Sequence, residues 1–258
     1  PIPREEQITS IVSVESFDND CYLLMLTKAG FIKRTPLSAF SKIRSNGLIA
    51  INLEEGDALT WVRLSKEGDS VLIGSSRGMA IHFRLDINEL RPLGRTARGV
   101  KSMNLKDGDK LVSMDVLTSD LVDQLANIDE ENDEDLENKS SNGPWVLIAS
   151  ALGLGKRVPV TQFRLQKRAG MGLRAIKFRI KDDSLVGLKV LGEGEELIFV
   201  TERGVIVRTN ADKISQQSRA ATGVKLQRLD DGDHLSEVVL VPHEQINDSV
   251  QLISKEEL

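Results

Sequence analysis

The sequence predicts an all-β fold of radial or solenoid architecture, and three observations predict it. One pattern of elements recurs four times in the same order, with a period of about fifty residues. The apolar runs that open each copy are too short for typical helices and are bounded by turn residues. Glycines punctuate every copy at the same two places. The turn glycines are Gly30, Gly78, Gly153 and Gly204, and the loop-closing glycines are Gly47, Gly99, Gly172 and Gly223. The loop-closing set is spaced by 52, 73 and 51 residues, so one copy carries an insertion. Repeats of this kind present one equivalent loop per unit along a common rim.

The elements follow in order. Residues 21–26, 70–74, 145–149 and 196–200 are the opening strands. Each runs into a turn closed by glycine, the geometry of a short hairpin loop with a left-handed last residue. Residues 31–34, 79–82, 155–158 and 205–208 are the return strands, so each unit begins with a β-hairpin. A basic loop closes on the second glycine. Third strands are expected at 48–53, 100–105, 173–178 and 224–229. Turns rich in Asp and Gly follow at 54–57, 106–109 and 230–233, with a looser copy at 181–184. The last strand recurs five times, at 8–14, 60–64, 111–116, 185–190 and 235–241, and residues 249–254 read as one more opening strand. Four full units and pieces of a fifth are therefore expected, starting and stopping within a unit, as in a segment cut from a longer protein.

Composition narrows the function. The chain has 258 residues, 40% hydrophobic, enough for one large domain. Aromatic content is 4%, with one Tyr and two Trp, which disfavours a stacking platform for single strands. Cys21 has no partner in the chain and lies in an apolar run, so a structural thiol and a reducing compartment are expected. No apolar run approaches a membrane span. The net charge of −5 hides an asymmetry. Residues 119–138 hold nine acids and no base, leaving 30 acids against 34 bases elsewhere, a net of +4. Residues 117–143 are read as an acidic surface insert without structure of its own beyond a short helix at 121–128, either a tolerated insertion or an acidic mimic of DNA.

The remaining bases cluster in the repeated loops and at the ends of the return strands. Unit one supplies Lys33, Arg34, Lys42 and Arg44; unit two Arg84, Arg91, Arg95 and Arg98. Unit three supplies Lys156, Arg157, Arg164, Lys167, Arg168 and Arg174; unit four Arg203, Arg208, Lys213, Arg219 and Lys225. A duplex carries one negative charge per ~1.7 Å of axis, so a row of cations at equal steps would follow a bent phosphate backbone. Neighbouring glycines would let backbone N–H groups approach phosphates. No recognition helix is seen, so backbone contact and bending are expected rather than base reading. No catalytic set is expected. His82, His234 and His243 share no repeated partner, Tyr22 lies in an apolar strand, and no CxxC, HExxH, GxSxG or phosphate-loop motif occurs. The Asp/Gly turns lack the ligand spacing of a calcium loop.

These features resemble the C-terminal domain of the A subunit of DNA gyrase, and more distantly its topoisomerase IV counterpart. The stretches Gly30-Phe-Ile-Lys-Arg-Thr35, Gly94-Arg-Thr-Ala-Arg-Gly-Val100 and Arg219-Ala-Ala-Thr-Gly-Val224 carry the resemblance, with Asn52-Leu-Glu-Glu-Gly-Asp57 and Asn104-Leu-Lys-Asp-Gly-Asp109. It covers the chain apart from the acidic insert. It implies a β-pinwheel, a propeller-like disc of four-stranded blades that exchange a strand with a neighbour, here about five blades and incomplete, forming a single domain over 1–258. It implies non-catalytic binding, bending and wrapping of duplex DNA for an ATP-dependent type II topoisomerase, with no cofactor and no metal. Implied partners are duplex DNA, the N-terminal breakage–reunion domain of the same subunit, which holds the catalytic tyrosine, and the ATPase B subunit. The implied location is cytoplasmic, at a bacterial nucleoid, or a plastid, because the insert before Gly143-Pro-Trp145 is similar to cyanobacterial and plastid members. One departure stands out. The family's Gln-Arg-Arg-Gly-Gly-Lys-Gly box has no intact copy, and its nearest echo is Gln166-Lys-Arg-Ala-Gly-Met-Gly172. The rival readings are a protein-interaction propeller, which predicts an apolar, aromatic face, and a propeller enzyme, which predicts repeated polar groups at a central channel.

Overall fold

Short aliphatic runs that meet a glycine-closed turn fold back on themselves, and four such hairpins seed the molecule. The computed structural model describes residues 8–17, 20–42, 45–123 and 143–241. The strands are β1 (Cys21–Thr27), β2 (Phe31–Pro36), β3 (Leu59–Lys66), β4 (Ser70–Ser75), β5 (Met79–Arg84), β6 (Val100–Lys101), β7 (Leu111–Leu117), β8 (Trp145–Ser150), β9 (Leu154–Pro159), β10 (Leu173–Arg174), β11 (Leu185–Leu191), β12 (Glu196–Thr201), β13 (Ile206–Asn210), β14 (Val224–Lys225) and β15 (Leu235–Val241).

They form four antiparallel sheets, ordered β3-β1-β2-β6, β7-β4-β5-β10, β11-β8-β9-β14 and β15-β12-β13. In the first three, the fourth strand comes from the next unit, so adjacent units exchange a strand. Strand β3 packs on β7, β7 on β11 and β11 on β15, which makes these the inner wall. The exchanged strands β6, β10 and β14 are therefore outermost.

Among the described residues the buried apolar side chains fall into three clusters, one at each junction between neighbouring sheets. Leu24, Leu26 and Ile32 meet Val71, Ile73 and Phe83. Leu72 and Leu117 meet Val146, Ile148 and Leu188. Leu147 and Leu191 meet Leu197, Phe199 and Val238. A strand between two neighbours is covered on both faces, so β4 and β8 are buried throughout, whereas β12 alternates.

The repeated acid has a structural post. Asp57, Asp109, Asp183 and Asp233 each accept a backbone N–H from the hairpin turn of their own unit, from Ala29, Arg77, Leu152 and Arg203 at 2.8, 3.0, 3.1 and 3.2 Å. The looser turn at 181–184 thus performs the same task as the other three. The Thr201 hydroxyl, then the backbone N–H groups of His234 and Arg203, hold the Asp233 carboxyl below its ordinary range.

Among the described residues there are four sheets, and the opening strand expected of a fifth unit at 249–254 lies outside them. Two expectations change. Residues 8–14 form no strand, and Ile8 and Ile11 stay exposed, because no described hairpin lies beside them to pair with. The expected six-residue third strands pair over only two residues each, and residues 48–53 over none. The chain then leaves the ladder after one further bond, from Ser102, Ala175 and Leu226 N–H to the carbonyls of Gly30, Gly78 and Gly153. Of the short helix expected at 121–128, helical residues are seen at 119–123, and most of the acidic insert, like His243 and residues 249–254, lies outside the described residues.

Candidate nucleic-acid interface

The outer edge carries one cation per exchanged strand, two residues past the loop-closing glycine. These are Lys101 on β6, Arg174 on β10 and Lys225 on β14, all exposed. Unit one has exposed Ile49 at this place. Arg174 and Lys225 belong to the cations singled out in the sequence. Lys101 does not, and the signal that finds it is register with those two, not local charge.

The loops before these strands correspond residue for residue, at 94–99, 167–172 and 218–223. Each rests on the preceding unit. Asn52, Asn104 and Lys177 N–H groups donate to the carbonyls of Ala97, Gly170 and Ala221. The closing glycines are required by packing. Gly99 has φ +102°, and a Cβ there would lie 2.6 Å from the Ile32 carbonyl oxygen; Gly172 and Gly223 meet the Ala80 and Gly155 oxygens in the same way. Close approach to a neighbouring backbone therefore accounts for these glycines.

Several sequence candidates are corrected by burial. Lys33, Arg34 and Lys156 are fully buried and cannot reach a phosphate. Lys33 Nζ donates to the carbonyls of Gly94, Arg95 and Ala97 at 3.0, 2.6 and 3.0 Å. Lys156 Nζ donates to those of Ser218, Arg219 and Ala221, each at 2.7 Å. The bound positions coincide in the two loops. Burial pushes both ammonium groups down from 10.5 to about 8, and Arg219 adds a like charge beside Lys156. Arg34 donates to the Leu90 and Leu85 carbonyls and to Glu67, and stacks on Tyr22. Arg157, with its side chain 11% exposed, repeats this with the Ile214 carbonyl, Asp212 and Trp145. In unit two the equivalent residue is His82. Its Nδ1–H donates to the Phe163 carbonyl at 2.6 Å and its Nε2 accepts from the Ser70 hydroxyl at 2.8 Å, the neutral tautomer. Burial pushes its pKa down, as does Arg84. These residues hold the next unit's loop. Arg208, their counterpart in unit four, pairs instead with Glu196 on its own sheet and is 63% exposed.

The other candidates lie at or near the rim. Arg168 and Arg219 are half-buried staples, donating to the carbonyls of Lys101 and Arg174 on the preceding exchanged strand. Arg98 is exposed, pairs with Glu54 and stacks over Phe31 at 4.3 Å. Lys42, Arg91, Arg164, Lys167 and Lys213 are exposed, Arg84 and Arg95 half-buried, and Arg44 lies outside the described residues. Arg203 sits in a hairpin turn, not in a rim loop.

At the axis a cavity of about 640 Å³ receives residues from all four units, among them Lys28, Lys110, Ala151 and Glu202. Its Glu202–His234 pair, 3.5 Å apart, is not repeated in the other units. Among the described residues no cluster of His, Cys, Asp or Glu could hold a metal, and no helix is long and apolar enough to cross a membrane.

The family model for the DNA gyrase C-terminal domain, beta-propeller, matches residues 22–66, 69–118, 144–191 and 195–242. These segments contain all four hairpins. The DNA gyrase A subunit of Synechocystis sp. is 57% identical over 251 residues, covering 94% of this chain and 29% of that protein. The chloroplastic/mitochondrial DNA gyrase A subunit of Arabidopsis thaliana is 40% identical over 245 residues, covering 92% of this chain and 25% of that protein. The chain thus spans between a quarter and a third of the length of these relatives. A solved DNA gyrase A C-terminal domain superposes with a TM-score of 0.73 at 27% identity, covering 92% of this chain and 71% of that one. The C-terminal domain of DNA topoisomerase IV shares the fold, with a TM-score of 0.76 at 24% identity over 93% of this chain and 68% of that one.

Proposed function

Because the chain belongs to the DNA gyrase C-terminal domain family, we propose that it is the part of a gyrase A subunit that binds and bends duplex DNA around its outer edge, without base reading and without chemistry of its own. Its four units act as one domain over 1–258. Its partners are the duplex, the breakage–reunion domain carried by the same polypeptide, and the ATPase subunit, in a bacterial cytoplasm or a plastid. The observation that carries this reading is the register of exposed Lys101, Arg174 and Lys225 on successive outermost strands, with Arg98 and Lys167 in the loops between. Bending a 20–30 bp site by 40–90° costs on the order of 1–6 kcal/mol, which a few phosphate contacts offset. Affinity then falls with salt by ~0.9 log unit per log unit for each phosphate neutralised.

A gel-shift with a duplex of ~40 bp tests the reading. Replacing Arg95 and Arg98 with Ala is expected to weaken binding to duplexes of any sequence and to flatten the salt slope. Unchanged affinity at ~100 mM salt would remove the loop from the interface. Tight binding that ignores salt, or no binding by the unmodified chain, would favour a protein-interaction propeller instead.

A further inference from the structure

Two buried lysines sit at one position of the repeat, three residues past the turn glycine, and each meets the same three carbonyls of the next unit's loop. The other two units have Ile81 and Val207 there. An ammonium group has three N–H donors and no acceptor, so three converging carbonyls satisfy it completely. A buried charge without such partners would be costly, so loop and lysine require each other. With the carbonyls of residues 94, 95 and 97 turned inward, the N–H groups of Arg95 and Thr96 take no hydrogen bond within the protein among the described residues. Thr96 and Ala220, between the bound carbonyls, are both exposed.

We propose that Lys33 and Lys156 are positioning residues that fix loops 94–99 and 218–223 in the shape that presents their cations to DNA phosphates. In loop 94–99 these are joined by the free N–H groups of Arg95 and Thr96, whereas in loop 218–223 the Arg219 N–H is taken by Gln162 Oε1. The proposal rests on the DNA-binding reading for its purpose, not for the clamp itself. Neither lysine touches the ligand. Each acts from beneath, and the positive charge behind the loop adds to the field at its surface. The loop at 167–172 is organised differently, since Ile81 offers no charge. There Arg168 bonds the Glu89 side chain and carbonyl from the side, and Ala169 takes φ +61°. Loop 218–223 carries both devices, because Arg219 also bonds Gln162 and the Arg174 carbonyl from its flank, so these two loops differ in whether a lysine lies beneath them.

Lys33→Ile and Lys156→Val place in one unit the residue type that another unit already carries. Trypsin reads the clamp without DNA, because Arg95, Arg98 and Arg219 lie in the clamped loops. Lys33→Ile is expected to speed cleavage after Arg95 and Arg98 about tenfold or more while cleavage after Arg219 is unchanged, and Lys156→Val the reverse. Each variant should also lower duplex affinity about tenfold and reduce the salt slope by about one unit. On the unmodified protein, backbone order parameters near 0.85 are expected at Thr96 and Ala220, and values under about 0.6 overturn the clamp whatever the variants do. Faster cleavage with unchanged affinity and slope overturns the positioning role and leaves the clamp. Failure of the unmodified chain to bind DNA overturns the functional reading while trypsin and order parameters still judge the clamp.

Discussion

At the scale of single residues, one side-chain type performs two opposite tasks, and burial decides which. Lys33 and Lys101 are both lysines of the basic repeat, yet one satisfies three carbonyls in the interior and the other stands at the edge in water. The difference has a pH signature. In the unfolded chain Lys33 and Lys156 hold their protons up to about 10.5, whereas in the folded protein they release them near 8. Between these values the unfolded state binds more protons, so stability rises with pH across this window. Denaturant midpoints measured from pH 8 to 10 should rise in the unmodified chain relative to Lys33→Ile, and a flat difference would contradict the depressed value. Glycine gives a second test. Gly99→Ala places a methyl against the Ile32 carbonyl at a left-handed φ, and is expected to cost about 1–3 kcal/mol or more. Gly47→Ala, with nothing within 4 Å, should cost less. Thermal melts of the two variants compare them directly.

At the scale of elements, stability lies in the junctions between sheets. Phe83 and Phe199 are fully buried in different junctions, and truncating either to Ala should cost about 3–5 kcal/mol. The two losses should add in a double variant, since they share no cluster. Urea titration measures both. The hairpins were legible in the sequence because their signal is local. An aliphatic run followed by a glycine-closed turn specifies a hairpin wherever it occurs, and four copies in register removed the ambiguity of any one. The third strands were overextended because their apolar pattern, as at 100–105, continues past the two residues that pair. Ile8–Val14 reads as a strand by the same pattern, but a strand needs a neighbour to accept its bonds. The inward turn of Lys33, Arg34 and Lys156 was not legible. A basic pair at the end of an apolar strand looks the same whether it meets solvent or the carbonyls of a loop some sixty residues later, and only strand exchange between units brings that loop to it.

At the scale of the whole molecule, exchange of strands converts a linear repeat into an edge with a regular charge. Each donated strand closes its neighbour's sheet and carries one cation outward, and the loop before it is pinned by residues of the unit it has just joined. The net charge of −5 is no obstacle, because the excess of acid lies in one segment and the remaining chain is positive. The most direct measurement of the central claim is duplex affinity across a salt series for the variant with Lys101, Arg174 and Lys225 all replaced by Ala. Removing three contacts at equal steps should reduce the slope of log affinity against log salt by about three units, leaving the thermal melt unchanged. An unchanged slope in a folded variant would mean that DNA does not follow the outer strands.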